Sequence, residues 1–260
     1  MFKYRSCAKI NSYLNVLSSM PNGYHQINTH FQLIDIFDDM EFIESDVDEF
    51  VTNANLNDKK NSVIQTINWF NEKFNKKQRF KVKLSKNIPI GAGLGGGSSN
   101  SASTLKFLCK YHGINVDSLD LENICLCLGA DVPVFLQGFS SYAEGYGEIL
   151  NKKYSTNSSY LLLVPNIFVS TRKIFNSVHL SMDKKLDKSK NSLLDVLLLE
   201  DKTFNDYYFG LKSLIHKNIF QKIKLSGSGS TMFIQDPSEK EINIICNKIV
   251  NNFRVFQVKA

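Results

Sequence analysis

A chain of 260 residues, 43% hydrophobic and 22% charged, can build one large domain or two small ones. No apolar run approaches the roughly 18–20 residues that a membrane helix needs. The net charge of +6 comes from lysines spread along the chain, with small clusters at Lys76-Lys77 and Lys184-Lys185; without an aromatic-interleaved basic stripe, this favours anionic small molecules over nucleic acid.

Met1 to Cys7 carries no apolar signal core or cleavage site ahead of Ala8-Lys9-Ile10-Asn11, so a mature cytoplasmic chain is expected. Over residues 6–17, Ala8, Ile10, Ser12, Leu14 and Val16 alternate with Cys7, Lys9, Asn11, Tyr13 and Asn15, which predicts a strand with one polar face. Pro21-Asn22-Gly23 marks a turn, and Ile27, Thr29, Phe31 and Leu33 predict an antiparallel return strand. Residues 40–43 and 49–52 read as further short strands. An amphipathic helix is predicted over 58–74, with Val63, Ile67, Phe70 and Phe74 on one side.

Phe80, Val82 and Leu84 alternate with Lys81 and Lys83 in a strand that leads into Pro89-Ile90-Gly91-Ala92-Gly93-Leu94-Gly95-Gly96-Gly97-Ser98-Ser99. Beyond it, Ala102, Leu105, Leu108 and Cys109 fall on one helical face. Strand, glycine loop and helix together read as a phosphate cradle rather than a flexible linker, because glycine lets backbone N–H groups crowd around an anion and the helix start adds more donors. Gly91-x-Gly93-x-x-Gly96 matches the dinucleotide fingerprint literally, but residues 111–117 are too polar and broken for the second strand that motif needs. The P-loop pattern fails because Gly97 stands where its lysine belongs. Phosphate here is to be held by backbone and hydroxyls.

A helix over 121–128 stops at Gly129, and a strand at 141–143 leads to a turn at 145–147. The polar stretch 151–159 is the expected boundary between domains 1–155 and 156–260. The second part is predicted to hold a strand at 160–165, helices at 191–199, 205–216 and 238–253, and strand, glycine turn, strand at 223–234. Without regular β-α-β alternation or an internal repeat, the class is α+β. The five cysteines lack C-x-x-C spacing and read as reduced core residues; Cys125 and Cys127 would point about 200° apart on a helix, so no metal site is expected.

Asp131 is a lone carboxylate among Ala130, Val132, Pro133, Val134 and Phe135. Spacing alone leaves two roles open, a catalytic base or the N-cap of a short turn with Pro133 inside it. Lys9 is equally open between an exposed strand lysine and a cation serving that carboxylate; Asn11, two residues on, shares its face at roughly 6.6 Å.

Taken in order, Ala8-Lys9-Ile10-Asn11, the glycine loop at 89–99 and Ser226-Gly227-Ser228-Gly229 resemble the three motifs of the GHMP small-molecule kinases. More narrowly, Asn22-Gly23-Tyr24-His25 and Leu128-Gly129-Ala130-Asp131-Val132-Pro133-Val134-Phe135 resemble the branch that phosphorylates the 2-hydroxyl of 4-diphosphocytidyl-2-C-methyl-D-erythritol in non-mevalonate isoprenoid synthesis. The resemblance spans residues 6–234.

It implies a two-lobed α+β kinase, with a ribosomal-protein-like N-terminal ATP lobe, a ferredoxin-like C-terminal lobe and the active site between them. Asp131 would be the base and Lys9 its cationic partner, with Asn11 on the substrate. Tyr24 and His25 would form the cytidine pocket, Thr171 would contact a substrate hydroxyl, and Gly227, Ser228 and Gly229 would close over the diphosphate. Pro89, Ile90, Gly91, Ala92, Gly93, Leu94, Gly95, Gly96, Gly97, Ser98 and Ser99 would wrap the ATP phosphates, with Asn61 and Lys86 flanking the adenine. Magnesium is expected as the ATP counterion, with Ser98 or Ser99 to assist and no protein carboxylate dedicated to it. A small-molecule substrate is implied, with neither nucleic acid nor membrane as partner; the sequence sets no oligomeric state. The rivals are a related kinase acting on homoserine, mevalonate or a sugar, an RNA-binding module by fold analogy, and a redox dinucleotide protein.

Overall fold

The computed structural model describes every residue except 57–60, 154–156, 184 and 250–252. Strands β1 (Phe2–Ser19) and β2 (His25–Ser45) form one long antiparallel hairpin, paired from Ser19 opposite His25 to Phe2 opposite Phe42. This replaces the three short strands expected over 6–17, 27–33 and 40–43. Register shifts at Cys7/Ala8, Asn11/Leu14 and Val16/Ser18 explain the misreading. Each bulge re-phases the alternation, so a continuous strand reads as fragments.

After β3 (Glu49–Thr52), helix α1 (Ser62–Lys73) starts at Asn61, whose side chain accepts from Val63 N and Ile64 N. The earlier start expected at residue 58 lies outside the described residues. Then come β4 (Arg79–Ser85), α2 (Gly96–His112), α3 (Leu121–Leu128), α4 (Val132–Gln137), β5 (Ser141–Glu144) and β6 (Ile149–Lys152). The first sheet runs β3-β4-β2-β5-β6, with β1 also on β2. Phe42, Phe70, Phe80 and Phe107 fill the core between this sheet and its helices, the Phe42 and Phe107 rings stacking at 4.1 Å.

The second half holds β7 (Ser159–Pro165), α5 (Thr171–Phe175), α6 (Leu194–Glu200), α7 (Lys202–Leu214), α8 (Lys217–Phe220), β8 (Lys224–Leu225), β9 (Met232–Gln235), α9 (Glu239–Lys248) and β10 (Phe253–Lys259). Its antiparallel sheet has the order β10-β7-β9-β8, the ferredoxin-like β-α-β-β-α-β arrangement. The helix expected over 238–253 is corrected here. It ends at Lys248, capped at its start by a Ser238–Glu241 capping box, and Phe253 instead opens β10, paired along β7 from Pro165 to Ser159. A strand on the sheet edge keeps one side partly wet, so its alternation is weak and tertiary pairing decides it.

The two sheets share buried apolar residues. Ala8, Ile10, Ile34, Ile36 and Leu94 pack with Tyr160, Leu162, Val164 and Phe233. The far end of the hairpin, through Leu14, Val16 and Ile27, enters the second core. The expected boundary at 155/156 lies outside the described residues. Among those described, no helix is long and apolar enough to cross a membrane.

One buried group carries a pH consequence. His30 on β2 has Nδ1 2.6 Å from Ser12 Oγ, its ring 5.0 Å from Tyr142, and Nε2 without a hydrogen-bond partner among the described residues. Burial, then the nearby Lys153 and Lys188, push its pKa down to about 4. The unfolded chain takes up this proton near 6.5 and the folded chain does not, so stability present above about 6.5 is lost as pH falls toward 4. Denaturant midpoints should therefore drop between pH 7 and pH 4.5, and His30→Leu should flatten the drop; His25 and His112, also pushed down by burial, account for a remainder.

Candidate active site

Lys9 on β1 is 3% exposed. Its ammonium has acceptors from three separate pieces of chain: Asn11 Oδ1 at 2.6 Å, Gly93 O at 3.2 Å and Asp131 Oδ2 at 3.1 Å. That accounts for its three protons. Its backbone N–H donates to Leu94 O at 3.0 Å, stitching β1 to the glycine loop. Asn11 Nδ2 donates to Thr29 Oγ1 at 2.8 Å, and the Asn11 N–H donates to Ser226 Oγ at 3.2 Å. Ser226 Oγ in turn donates to Gly93 O at 3.1 Å. The glycine loop and the late serine-glycine turn thus meet on the polar face of β1.

Asp131 stands at the N-cap position of α4, yet its side chain makes no cap bond. Its backbone sits at φ −87°, ψ −8°, in the helical rather than the extended region that a side-chain cap uses. The carboxylate turns to Lys9 instead and keeps 28% of its side chain exposed. One oxygen is therefore paired on the buried side while the group remains open to a ligand.

The missing side chains of the glycine run are spaces for protein neighbours. A Cβ on Gly93 would meet the Ser226 and Gly229 carbonyl oxygens, the latter at 2.7 Å; one on Gly95 would stand 2.9 Å from the Phe135 ring and 3.0 Å from Lys9 Cε. One on Gly96 would meet Lys86 Nζ at 2.9 Å, whereas one on Gly97 would find nothing closer than Ser62 Oγ at 3.7 Å. The helix α2 begins at Gly96, inside the run, and its first turn presents N–H groups without intrahelical acceptors beside the Lys9–Asp131 pair. An anion is the ligand such a turn accepts.

Lys86 and Asn61 both make bonds that hold the fold, Asn61 as the cap of α1. Lys86 Nζ pairs with the fully buried carboxylate of Asp38, which also accepts from Asn87 N at 2.8 Å, Ile88 N at 2.9 Å and Asn100 Nδ2 at 3.0 Å. Burial pushes the Lys86 pKa down, and Asp38 opposes that. This network fastens the start of the glycine loop to β2 and α2. Asp38 itself carries no sequence signal beyond being a carboxylate in an apolar strand. Beside it lies a cavity of about 310 Å³ edged by Lys86, Ile88, Pro89, Ile90, Asn166 and Arg254.

A second group is aromatic. Tyr24 OH donates to Leu126 O at 2.9 Å, with its ring edge-on to Tyr146 at 5.6 Å, while the His25 ring lies 5.5 Å from Phe175. Tyr146 and Phe175 are absent from the sequence reading; a turn tyrosine and a phenylalanine ending a five-residue helix offer no periodicity to find them by. Thr171, at the start of α5, has Oγ1 2.8 Å from Ser228 Oγ, and a Cβ on Gly227 would stand 3.0 Å from Asn11 Oδ1. The late turn thus joins Thr171 to Lys9 and Asn11.

The two sheets with their shared core, and the lysine–carboxylate pair beneath the glycine loop, sit in the fold of the GHMP kinases. The family described as GHMP kinases N terminal domain matches residues 61–139. Proteins named 4-diphosphocytidyl-2-C-methyl-D-erythritol kinase are similar along nearly the whole chain. That of Francisella tularensis subsp. tularensis is 32% identical over 95% of this chain and 92% of its own length, and that of Shewanella piezotolerans 32% over 97% and 91%. A crystal structure of 4-(cytidine 5'-diphospho)-2C-methyl-D-erythritol kinase has a TM-score of 0.76 at 22% identity, covering 99% of this chain and 98% of that one. The chain belongs to the 4-diphosphocytidyl-2-C-methyl-D-erythritol kinase family, within the ATP-dependent small-molecule kinases of the GHMP class.

Gly93 and Gly97 should respond oppositely to alanine. Gly93→Ala places a side chain at φ +74° against two carbonyl oxygens, so it should cost at least about 1–2 kcal/mol of stability. Gly97→Ala has room and a helical position, and should leave the protein as stable or more stable by about 0.4–1 kcal/mol. Thermal and denaturant unfolding of the two variants checks this.

Proposed function

We propose that this protein transfers the γ-phosphoryl group of ATP to the 2-hydroxyl of 4-diphosphocytidyl-2-C-methyl-D-erythritol. The observation that carries the reading is the 3.1 Å contact between Lys9 and Asp131, with the same ammonium bonded to Gly93 of the glycine loop. Base, cation and phosphate cradle are joined by one group.

In this reading the free side of the Asp131 carboxylate accepts the proton of the acceptor hydroxyl as its oxygen bonds to the γ-phosphorus and ADP leaves. Lys9 balances charge on the nascent alkoxide and the transferring group. The backbone of residues 89–99, with the first turn of α2, cradles the ATP phosphates, and Asn11, Thr171 and residues 227–229 hold the acceptor. Tyr24, His25, Phe175 and Tyr146 form the cytidine pocket, where the rings give a pyrimidine faces to stack on. The cavity beside Lys86, with Asn61, takes the adenine. Residues 1–155 thus hold ATP and one side of the acceptor, and residues 156–260 complete the acceptor site, in the cytoplasm.

Magnesium fits as a companion of ATP. Among the described residues no three His, Cys, Asp or Glu side chains gather into a metal cluster, and a Mg²⁺ ion commonly binds through one or two protein oxygens plus substrate phosphates. Ser98 and Ser99 stand on the first turn of α2 to contribute hydroxyls. When bound, the ion supplies charge neutralisation on the phosphates.

Incubation with Mg-ATP and, separately, the cytidyl alcohol, mevalonate and homoserine should release ADP only with the first; turnover of another alcohol alone would overturn the acceptor assignment. Asp131→Asn and Lys9→Ala should each lower kcat by roughly 100- to 10,000-fold while sparing ATP binding; near-normal turnover in Asp131→Asn would remove it as the base. Tyr24→Ala should raise the acceptor KM roughly tenfold, from lost stacking, with little change in the ATP KM.

A further inference from the structure

Phe168 is a large apolar side chain that neither core uses; it is 68% exposed. Its ring nevertheless rests on the glycine loop. A Cβ built on Gly91 would overlap ring carbon Cδ2 and stand 2.6 Å from Cε2, so the absent side chain at 91 is the seat of this ring. Gly91 also holds φ +65°, which any other residue would strain to adopt. The next residue repeats the tie, with Val169 N donating to Gly91 O at 3.1 Å.

The segment carrying Phe168 is short and pinned. Val169 and Ile174 are buried in the second core, and Ser170 caps α5 by accepting from Lys173 N. Ser230 Oγ donates to Ile167 O at 3.3 Å, and Thr171 Oγ1 meets Ser228 Oγ. Phe175, at its far end, lies beside His25. One end therefore touches the loop assigned to ATP and the other touches the pocket assigned to the acceptor.

We propose that Phe168 is a positioning residue for the phosphate loop, and that the segment 167–175 couples the seating of nucleotide to that of acceptor. The inference rests on the kinase reading above. A glycine-rich loop loses conformational freedom when it closes on phosphates, and a ring already packed on its first glycine lowers that ordering cost. Displacement of the loop from Gly91 is carried through Val169 to Thr171 and Phe175, so each ligand biases the position the other needs.

The test uses the intact protein with a non-hydrolysable ATP analogue, the cytidyl alcohol, and the variants Phe168→Ala and Phe168→Tyr. Turnover by the parent comes first, since its absence would count against the kinase reading and not against Phe168. Phe168→Ala should weaken analogue binding about tenfold, raising the ATP KM more than it lowers kcat, and should leave the thermal midpoint unchanged because the ring is mostly exposed. Acceptor affinity without nucleotide should stay at the parent value, while its enhancement by the analogue should disappear. Phe168→Tyr, which keeps the ring, should restore both. Unchanged analogue affinity in Phe168→Ala, failure of Phe168→Tyr to rescue, or a parent without mutual enhancement would each overturn the proposal.

Discussion

An ammonium removed from water costs several kcal/mol unless its protons are accepted, and Lys9 solves this with one acceptor from its own strand, one from the glycine loop and one from the turn before α4. That requirement organises the surroundings. The loop must bend until the Gly93 carbonyl reaches the lysine, which brings it onto the late turn, where Gly93 has no room for a side chain and one on Gly227 would crowd Asn11 Oδ1 at 3.0 Å. The turn between α3 and α4 must present Asp131 inward instead of capping α4. The β1 strand, the glycine loop and the turn before α4 are distant in sequence and adjacent in space because they satisfy one buried cation.

The structure holds a second buried cation and carboxylate, and the contrast between the pairs separates support from chemistry. Lys86 and Asp38 are sealed, with the carboxylate accepting from two backbone N–H groups, an amide and the ammonium. Every acceptor site there is used, so the pair anchors the loop start to β2 and α2. Asp131 has an ionic partner on one side and an open face on the other. A carboxylate with such an open face suits the base of the proposed reaction.

The glycine run shows why composition alone misleads about such loops. Its glycines are read from the sequence as approach space for phosphate, and four of the five turn out to admit protein: Phe168 at Gly91, two carbonyls at Gly93, Phe135 and Lys9 at Gly95, and Lys86 with Ile88 at Gly96. Gly97, at the helix start, would meet only Ser62, at ordinary contact distance. The loop is shaped by packing from both halves. The shared core beneath it, where Ile10 and Leu94 meet Leu162 and Phe233, makes the halves one framework around the site.

Features set by local pattern were legible in the sequence: the polar-faced strand bearing Lys9 and Asn11, the strand into the glycine loop, the helix after it, and the stop at Gly129 that frees Asp131. Each depends on alternation, helical spacing or a glycine that a few consecutive residues display. What only the tertiary structure decided depends on non-local partners. The hairpin continues through its bulges because β1 and β2 stay paired on both sides of each, and β10 is a strand because β7 offers it an edge. Asp38, Tyr146, Phe168 and Phe175 matter through neighbours that lie from about 50 to 150 residues away in the chain. Periodicity records which face a residue turns inward; it holds no record of what waits on the other side.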